Sequence, residues 1–180
     1  QGAAVKSEIV SYGNDKFTTP EIHRIEGQVA SVAVEQREVF SPLLSDREVK
    51  LAVEAFQDKK GFTLTRGQSE AVGYVLQHTG RIGVIQGDAG AGKSSSMEAV
   101  ADVIKAIGTE QGVQVRGFAI QGKTSVLLEG DSGISSGTLD SFLNSKSTWD
   151  GSSRQIWVVD EYSMVDSRRL GALVDRAQAE

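Results

Sequence analysis

Between an apolar run and a helical pattern the chain places Gly87-Asp88-Ala89-Gly90-Ala91-Gly92-Lys93-Ser94. Every fixed position of G-x-x-x-x-G-K-[ST] is filled, and the stretch stands where its chemistry requires. "RIGVIQ" (81–86) before it reads as a buried strand, and "KSSSMEAVADVIKAIG" (93–108) after it reads as a helix. Glycines let such a loop curl until consecutive amides point inward, and the helix adds the positive end of its dipole. A nucleotide triphosphate suits that cradle. Lys93 would reach the β- and γ-phosphates, Ser94 would ligate Mg²⁺, and Ser95 closes the set of loop residues expected to bind. A nucleoside triphosphate and Mg²⁺ are the expected ligands of this loop.

Around this loop the chain divides into two styles of pattern. Residues 1–17 carry a mixed pattern ending in the turn-prone Gly13-Asn14-Asp15. Thr19 and Pro20 then suit the start of a helix, with Glu21 at the positive end of its dipole and Gly27 as a weak point in its interior. Ser45 and Glu48 stand at capping-box spacing, followed by an apolar stripe of Val49, Ala52, Val53 and Phe56; "DKKG" closes that helix. Thr65 and Gln68 repeat the device, with Val72, Val75 and Leu76 as the stripe and Gly80 as the expected stop. From residue 81 onward strands and helices alternate. "VQVRGFAI" (113–120) and "QIWVVD" (155–160) read as strands, and "GKTSVLLEG" (122–130), "TLDSFLN" (138–144) and "SRRLGALVDRAQ" (167–178) as helices. Alternation of this kind predicts an α/β fold with a parallel sheet and right-handed crossovers. The expected organisation is a helical lead-in over 1–60 and a P-loop domain over 61–180.

A second constellation completes the candidate site. "QIWVVDEYSMVD" ends an apolar strand in an acid, which puts Asp160 at the carboxyl edge of the sheet beside the phosphate loop. There it can hold the magnesium, and Glu161 is suited to polarise the attacking water. Glu161 and Lys93 are thus the residues expected to carry the chemistry.

Bulk properties narrow the remaining classes. With no cysteine and two histidines, disulfides and thiolate metal sites are excluded and a zinc site is not expected. No apolar run approaches the roughly 18–20 residues of a membrane span, which with the absence of a signal-peptide core predicts a cytoplasmic protein. A net charge of -5 argues against coating nucleic acid with the whole surface, though a local basic groove stays open.

Four stretches, "LTRGQSEAV" (64–72), "GDAGAGKSS" (87–95), "FAIQGKTSVLL" (118–128) and "VVDEYSMVD" (158–166), together resemble the N-terminal RecA-like half of a RecD-like superfamily 1 helicase. The lead-in "KFTTPEIHRIEG" with the "LTRGQ" entry is similar to the corresponding region of bacterial conjugative relaxase-helicases of the TraI-like kind. The resemblance implies a RecA-like sheet flanked by helices, ATP hydrolysis coupled to translocation on single-stranded DNA, and duplex unwinding of 5'-3' type in plasmid transfer. It maps adenine reading onto Gln68, which its position also suits to closing the capping box. It maps DNA contacts onto Lys123, Thr124 and Thr138; Phe142 is either a further strand contact or a core residue. The relaxase tyrosine and histidine cluster are not recognisable. The family's next strand, a Gly-Asp-x-x-Gln segment lying between those of the phosphate loop and the acid pair, is not found after Glu180, and neither is a second RecA-like domain. The implied partners are therefore the remaining helicase and relaxase domains of a larger chain and other conjugation proteins, and this stretch alone is not expected to unwind DNA. An N-terminal segment such as "SEIVSY" could fill the missing strand's place. A vestigial module that holds DNA or protein without hydrolysis is the alternative function.

Overall fold

The computed structural model describes residues 10–11, 17–88, 90–146 and 151–180. Among the described residues the first elements are a small antiparallel pair, β1 (Val10–Ser11) and β2 (Phe17–Thr18), which the sequence pattern did not announce. Three helices follow, each opened by a local cap. Thr19 accepts the Ile22 amide at the head of α1 (Pro20–Glu35), and Gly27 does not interrupt it. Reciprocal capping boxes open α2 (Asp46–Lys60) and α3 (Arg66–Gln77). Gly61 ends α2 in the left-handed region at φ 73°. The expected stop of α3 is corrected: its C-cap is His78, in extended conformation, and Gly80 lies beyond the helix. Glycine stands there for close approach, because a Cβ at residue 80 would sit 3.1 Å from the Arg37 carbonyl oxygen and 3.2 Å from that of Gln36.

The α/β half comprises α4 (Lys93–Gln111), β3 (Val113–Ala119), α5 (Gly122–Ser132), β4 (Ser136–Thr138), α6 (Leu139–Asn144), β5 (Arg154–Val159) and α7 (Ser167–Ala179). The sheet has the order β4-β3-β5 with every pairing parallel. Gly117 lies opposite Ser136, and Val113 to Phe118 run in register with Arg154 to Val159. This is the parallel, helix-flanked α/β architecture expected from the alternating pattern.

One expected strand is absent. Residues 81–86 belong to no ladder, and Val84 is 54% exposed. A strand needs a partner for its backbone groups. Among the described residues β5 pairs with β3 alone, and the apolar run is not laid along its open edge, so its backbone groups find no ladder partner. Of the segment 7–12 expected to fill that place, Val10 and Ser11 pair with Thr18 and Phe17, and the other residues lie outside the described ones.

Two apolar clusters use the two faces of β3. Val113 joins Leu44, Val49, Val53, Phe56, Leu64, Val72, Leu76 and the buried stripe of α4 on one side. Helix α2, placed by sequence in the lead-in, therefore shares a core with the helix behind the phosphate loop. On the other face Phe118 packs with Leu139, Phe142 and Leu173. Residues 113 and 118 differ by an odd number, as the period-two alternation of a strand demands. Phe142 is 5% exposed and stacks on Phe118 at 4.3 Å between centroids, which makes it a core residue and withdraws it as a surface for bases.

Charge fastens α7 to its neighbours. Arg168 grips Glu21 of α1 with bonds of 3.0 and 2.8 Å, and Arg169 bonds Asp140 at 2.6 and 3.0 Å and also pairs with Asp166. The Arg169 guanidinium holds the Asp140 carboxyl below its ordinary pKa. Asp166 is lowered first by the bond it accepts from the Arg169 amide. Among the described residues no helix is long and apolar enough to cross a membrane.

Candidate functional site

Because the three strands are parallel, their carboxyl ends share one edge of the sheet. Ala119 leads there into Gly122, Lys123 and Thr124 of α5; Thr138 ends β4; Asp160 follows β5. Helix α4 reaches β3 through the single residue Gly112 and packs back along it, so the two run in opposite directions. At 1.5 Å per residue α4 is about 28 Å long, against about 23 Å for β3 at 3.3 Å per residue. The amino end of α4, and the loop before it, consequently project to the same edge as Asp160.

The loop is shaped for donors. Gly90 and Gly92 hold φ values of 77° and 76°, a region that a Cβ disfavours, and no side chain caps α4. Its first-turn amides are left to an external acceptor. Lys93 Nζ donates to the carbonyl oxygens of Gly87 (2.7 Å) and Asp88 (2.9 Å), so the ammonium lies across the mouth of the curl. Ala91 N closes a turn onto Asp88 O at 3.2 Å. The Ser94 side chain is exposed and Ser95 half-buried, while Ser96 is buried and donates through its hydroxyl to Gly92 O. Ala89 lies outside the described residues. Uncapped amides, an ammonium and exposed hydroxyls form a donor set that fits a polyphosphate.

Gln68 closes the capping box and turns its amide nitrogen toward the phosphate loop. Its Oε1 accepts the Thr65 amide at 2.8 Å, closing the capping box, and its Nε2 reaches the carbonyls of Ala91 (3.4 Å) and Gly92 (3.3 Å). A Cβ added to Gly92 would fall 1.9 Å from that Nε2.

At the acid pair, Asp160 N continues the ladder to Phe118 O at 3.0 Å, and Asp160 Oδ1 accepts the Glu161 amide at 2.9 Å. Glu161 is the one non-glycine with positive φ among the described residues (φ 51°, ψ 44°), and its side chain is exposed. Sequence gave no sign of this, since glutamate has no special tolerance for the left-handed region. Among the described residues no three His, Asp or Glu side chains cluster as a metal cage. Ser94 and Asp160 offer one hydroxyl and one carboxylate, a donor set that would hold Mg²⁺ only with phosphate and water oxygens completing the shell.

Of the residues with expected DNA roles, Lys123 is exposed on the first turn of α5, whose amino end also lacks a side-chain cap. Thr138 caps α6 by accepting the Ser141 amide at 3.2 Å. It also lines a groove of about 310 Å³ with Phe118 and the cations Arg116, Lys146 and Arg176, which residue spacing alone did not bring together. This groove and a second concavity at the start of α7 are both lined by residues other than the phosphate loop.

Residues 63–180 match the family described as AAA domain. The chain belongs to that family. As an AAA domain it is a P-loop, helicase-like nucleotide-binding module, in keeping with the RecD-like motifs. A probable conjugal transfer protein TraA of Sinorhizobium fredii (strain NBRC 101917 / NGR234) is 31% identical over 167 residues, covering 90% of this chain. The AAA-domain chain spans 14% of that relative's length.

Proposed function

We propose that this AAA domain binds and hydrolyses Mg·ATP as the first RecA-like half (residues 61–180) of a helicase in a bacterial, cytoplasmic conjugative DNA-processing protein, acting on single-stranded DNA with 5'-3' polarity. The observation that carries the reading is the loop: left-handed glycines at 90 and 92, an uncapped helix end, and the Lys93 ammonium resting on carbonyls of the curl. An arriving triphosphate offers that ammonium charged oxygens in place of neutral ones, and charge-assisted bonds are roughly twice as strong.

In this reading Lys93 and the amides of Gly90 and residues 92–95 orient the phosphates, with Gly87, Asp88, Ala89 and Ala91 shaping the curl. Ser94 and Asp160 would hold Mg²⁺, which when bound supplies charge neutralisation across the phosphate oxygens. Glu161 takes the proton of the attacking water. Gln68 lies close enough to the loop to meet the nucleotide. Lys123, Thr124 and Thr138, on the edge where the acid pair also ends, are assigned to the DNA backbone. The conjugal transfer relative supports the setting.

Fluorescence titrations test both halves of this reading. A fluorescent ATP analogue should bind in the presence of Mg²⁺ and more weakly after chelation. A labelled oligo-dT should bind weakly at 50 mM salt and lose affinity steeply by 200 mM. Lys123→Ala should reduce the salt slope by about 0.7, the value for one phosphate contact on a single strand. Tight, salt-indifferent DNA binding without nucleotide binding would instead favour a holding module that does not hydrolyse ATP.

A further inference from the structure

We infer that Gln68 is a positioning residue for the phosphate loop: it aims two amide donors of the cradle, and so governs affinity for the phosphate chain whichever base is attached. The inference rests on the nucleotide-binding reading above. Its physical basis is the division of labour within one planar carboxamide. Oε1 is tied to the Thr65 amide at 2.8 Å, so the group cannot turn freely, and Nε2 is left facing the loop. There it reaches the carbonyls of two successive residues, Ala91 at 3.4 Å and Gly92 at 3.3 Å.

A trans peptide sends its C=O and the following N–H in opposite directions. Drawing the Ala91 carbonyl toward Gln68 therefore turns the Gly92 amide away from it. The Gly92 carbonyl, which also accepts the Ser96 amide at 3.2 Å as the first bond of α4, is held by Gln68 from a second side, and the amide of Lys93 likewise faces away from it. These two donors stand at the left-handed turn into α4, where no side-chain cap competes for them. The anchor behind Gln68 is firm, because α3 packs against α4 through Val72 and Leu76, both fully buried. Space is equally committed: the 1.9 Å clearance between Nε2 and a Cβ at residue 92 means that the contact exists only while residue 92 is glycine.

A base-reading glutamine and a loop-positioning glutamine differ in one measurable respect, namely the response to a ligand that has no base. Calorimetric titration with Mg·tripolyphosphate, alongside the fluorescent ATP analogue, compares the full chain with Gln68→Ala and Thr65→Ala. Gln68→Ala is expected to weaken both ligands by the same factor, about 3–10-fold, as befits lost hydrogen bonds. Thr65→Ala removes the hydroxyl half of the same capping box and leaves the loop contact in place, so it should lower Tm without moving either affinity. Gln68→Ala that weakens the ATP analogue and leaves tripolyphosphate untouched would overturn the inference in favour of base reading. Equal weakening of tripolyphosphate by Thr65→Ala would overturn it in favour of a capping role alone. Failure of the unsubstituted chain to bind either ligand would remove the nucleotide-binding reading itself, an outcome distinct from both.

Discussion

Lys93→Ala is expected to weaken Mg·ATP binding by about 10–100-fold while leaving the fold intact. The magnitude follows from the bonds at stake, since one to a charged partner contributes about 1.5–3 kcal/mol and each 1.4 kcal/mol is tenfold in Kd. The fold is spared because Lys93 is exposed and bonds only the carbonyls of Gly87 and Asp88 within its own loop. Equilibrium titration with the fluorescent ATP analogue checks the affinity, and the urea midpoint checks the fold. A variant that binds like the parent would leave the glycine curl as a connection between residue 86 and α4 and nothing more.

Substitution at Glu161 is expected to have the largest effect on turnover. Glu161→Gln should keep nucleotide affinity within about twofold and lower ATP turnover by about 10²–10⁴, the usual worth of a positioned general base. Backbone geometry adds a second, independent expectation. Holding a non-glycine in the left-handed region costs roughly 1–2 kcal/mol. Glu161→Gly should therefore be as inactive as Glu161→Gln yet raise the unfolding free energy by up to about 1 kcal/mol. Strain retained where a carboxylate is needed is the pattern of a functional position. Turnover near that of the parent in both variants would remove the carboxylate from the reaction, whatever happened to stability.

The features legible in the sequence are those decided within a few residues. The boxes at Ser45 and Glu48 and at Thr65 and Gln68 close over three positions, so spacing alone located the starts of α2 and α3. The strands β3 and β5 were legible because apolar runs of that length have few other uses. Features settled by distant partners were not. The run at 81–86 is as apolar as β5, but strand formation needs a partner laid alongside in register, which no local pattern reports. Conversely, Ser136 to Thr138 have little intrinsic strand preference and become β4 only because Gly117 to Ala119 lie alongside. The reach of Gln68 to a carbonyl 24 residues further on arises from the packing of α3 on α4. The burial of Phe142 likewise depends on Phe118 and Trp157, brought together by the sheet.

One labelling experiment tests the central claim, that the loop and the acid pair serve a single triphosphate. An acyl phosphate of ATP, with its reactive anhydride on the γ-phosphate, acylates the ε-amine of whichever lysine lies against the phosphate chain as that ammonium gives up a proton, forming an amide and releasing ATP. Mass spectrometry should find the modification on Lys93, suppressed by excess Mg·ATP and reduced in Asp160→Asn. Acylation spread over the exposed lysines and indifferent to Mg·ATP would contradict the claim.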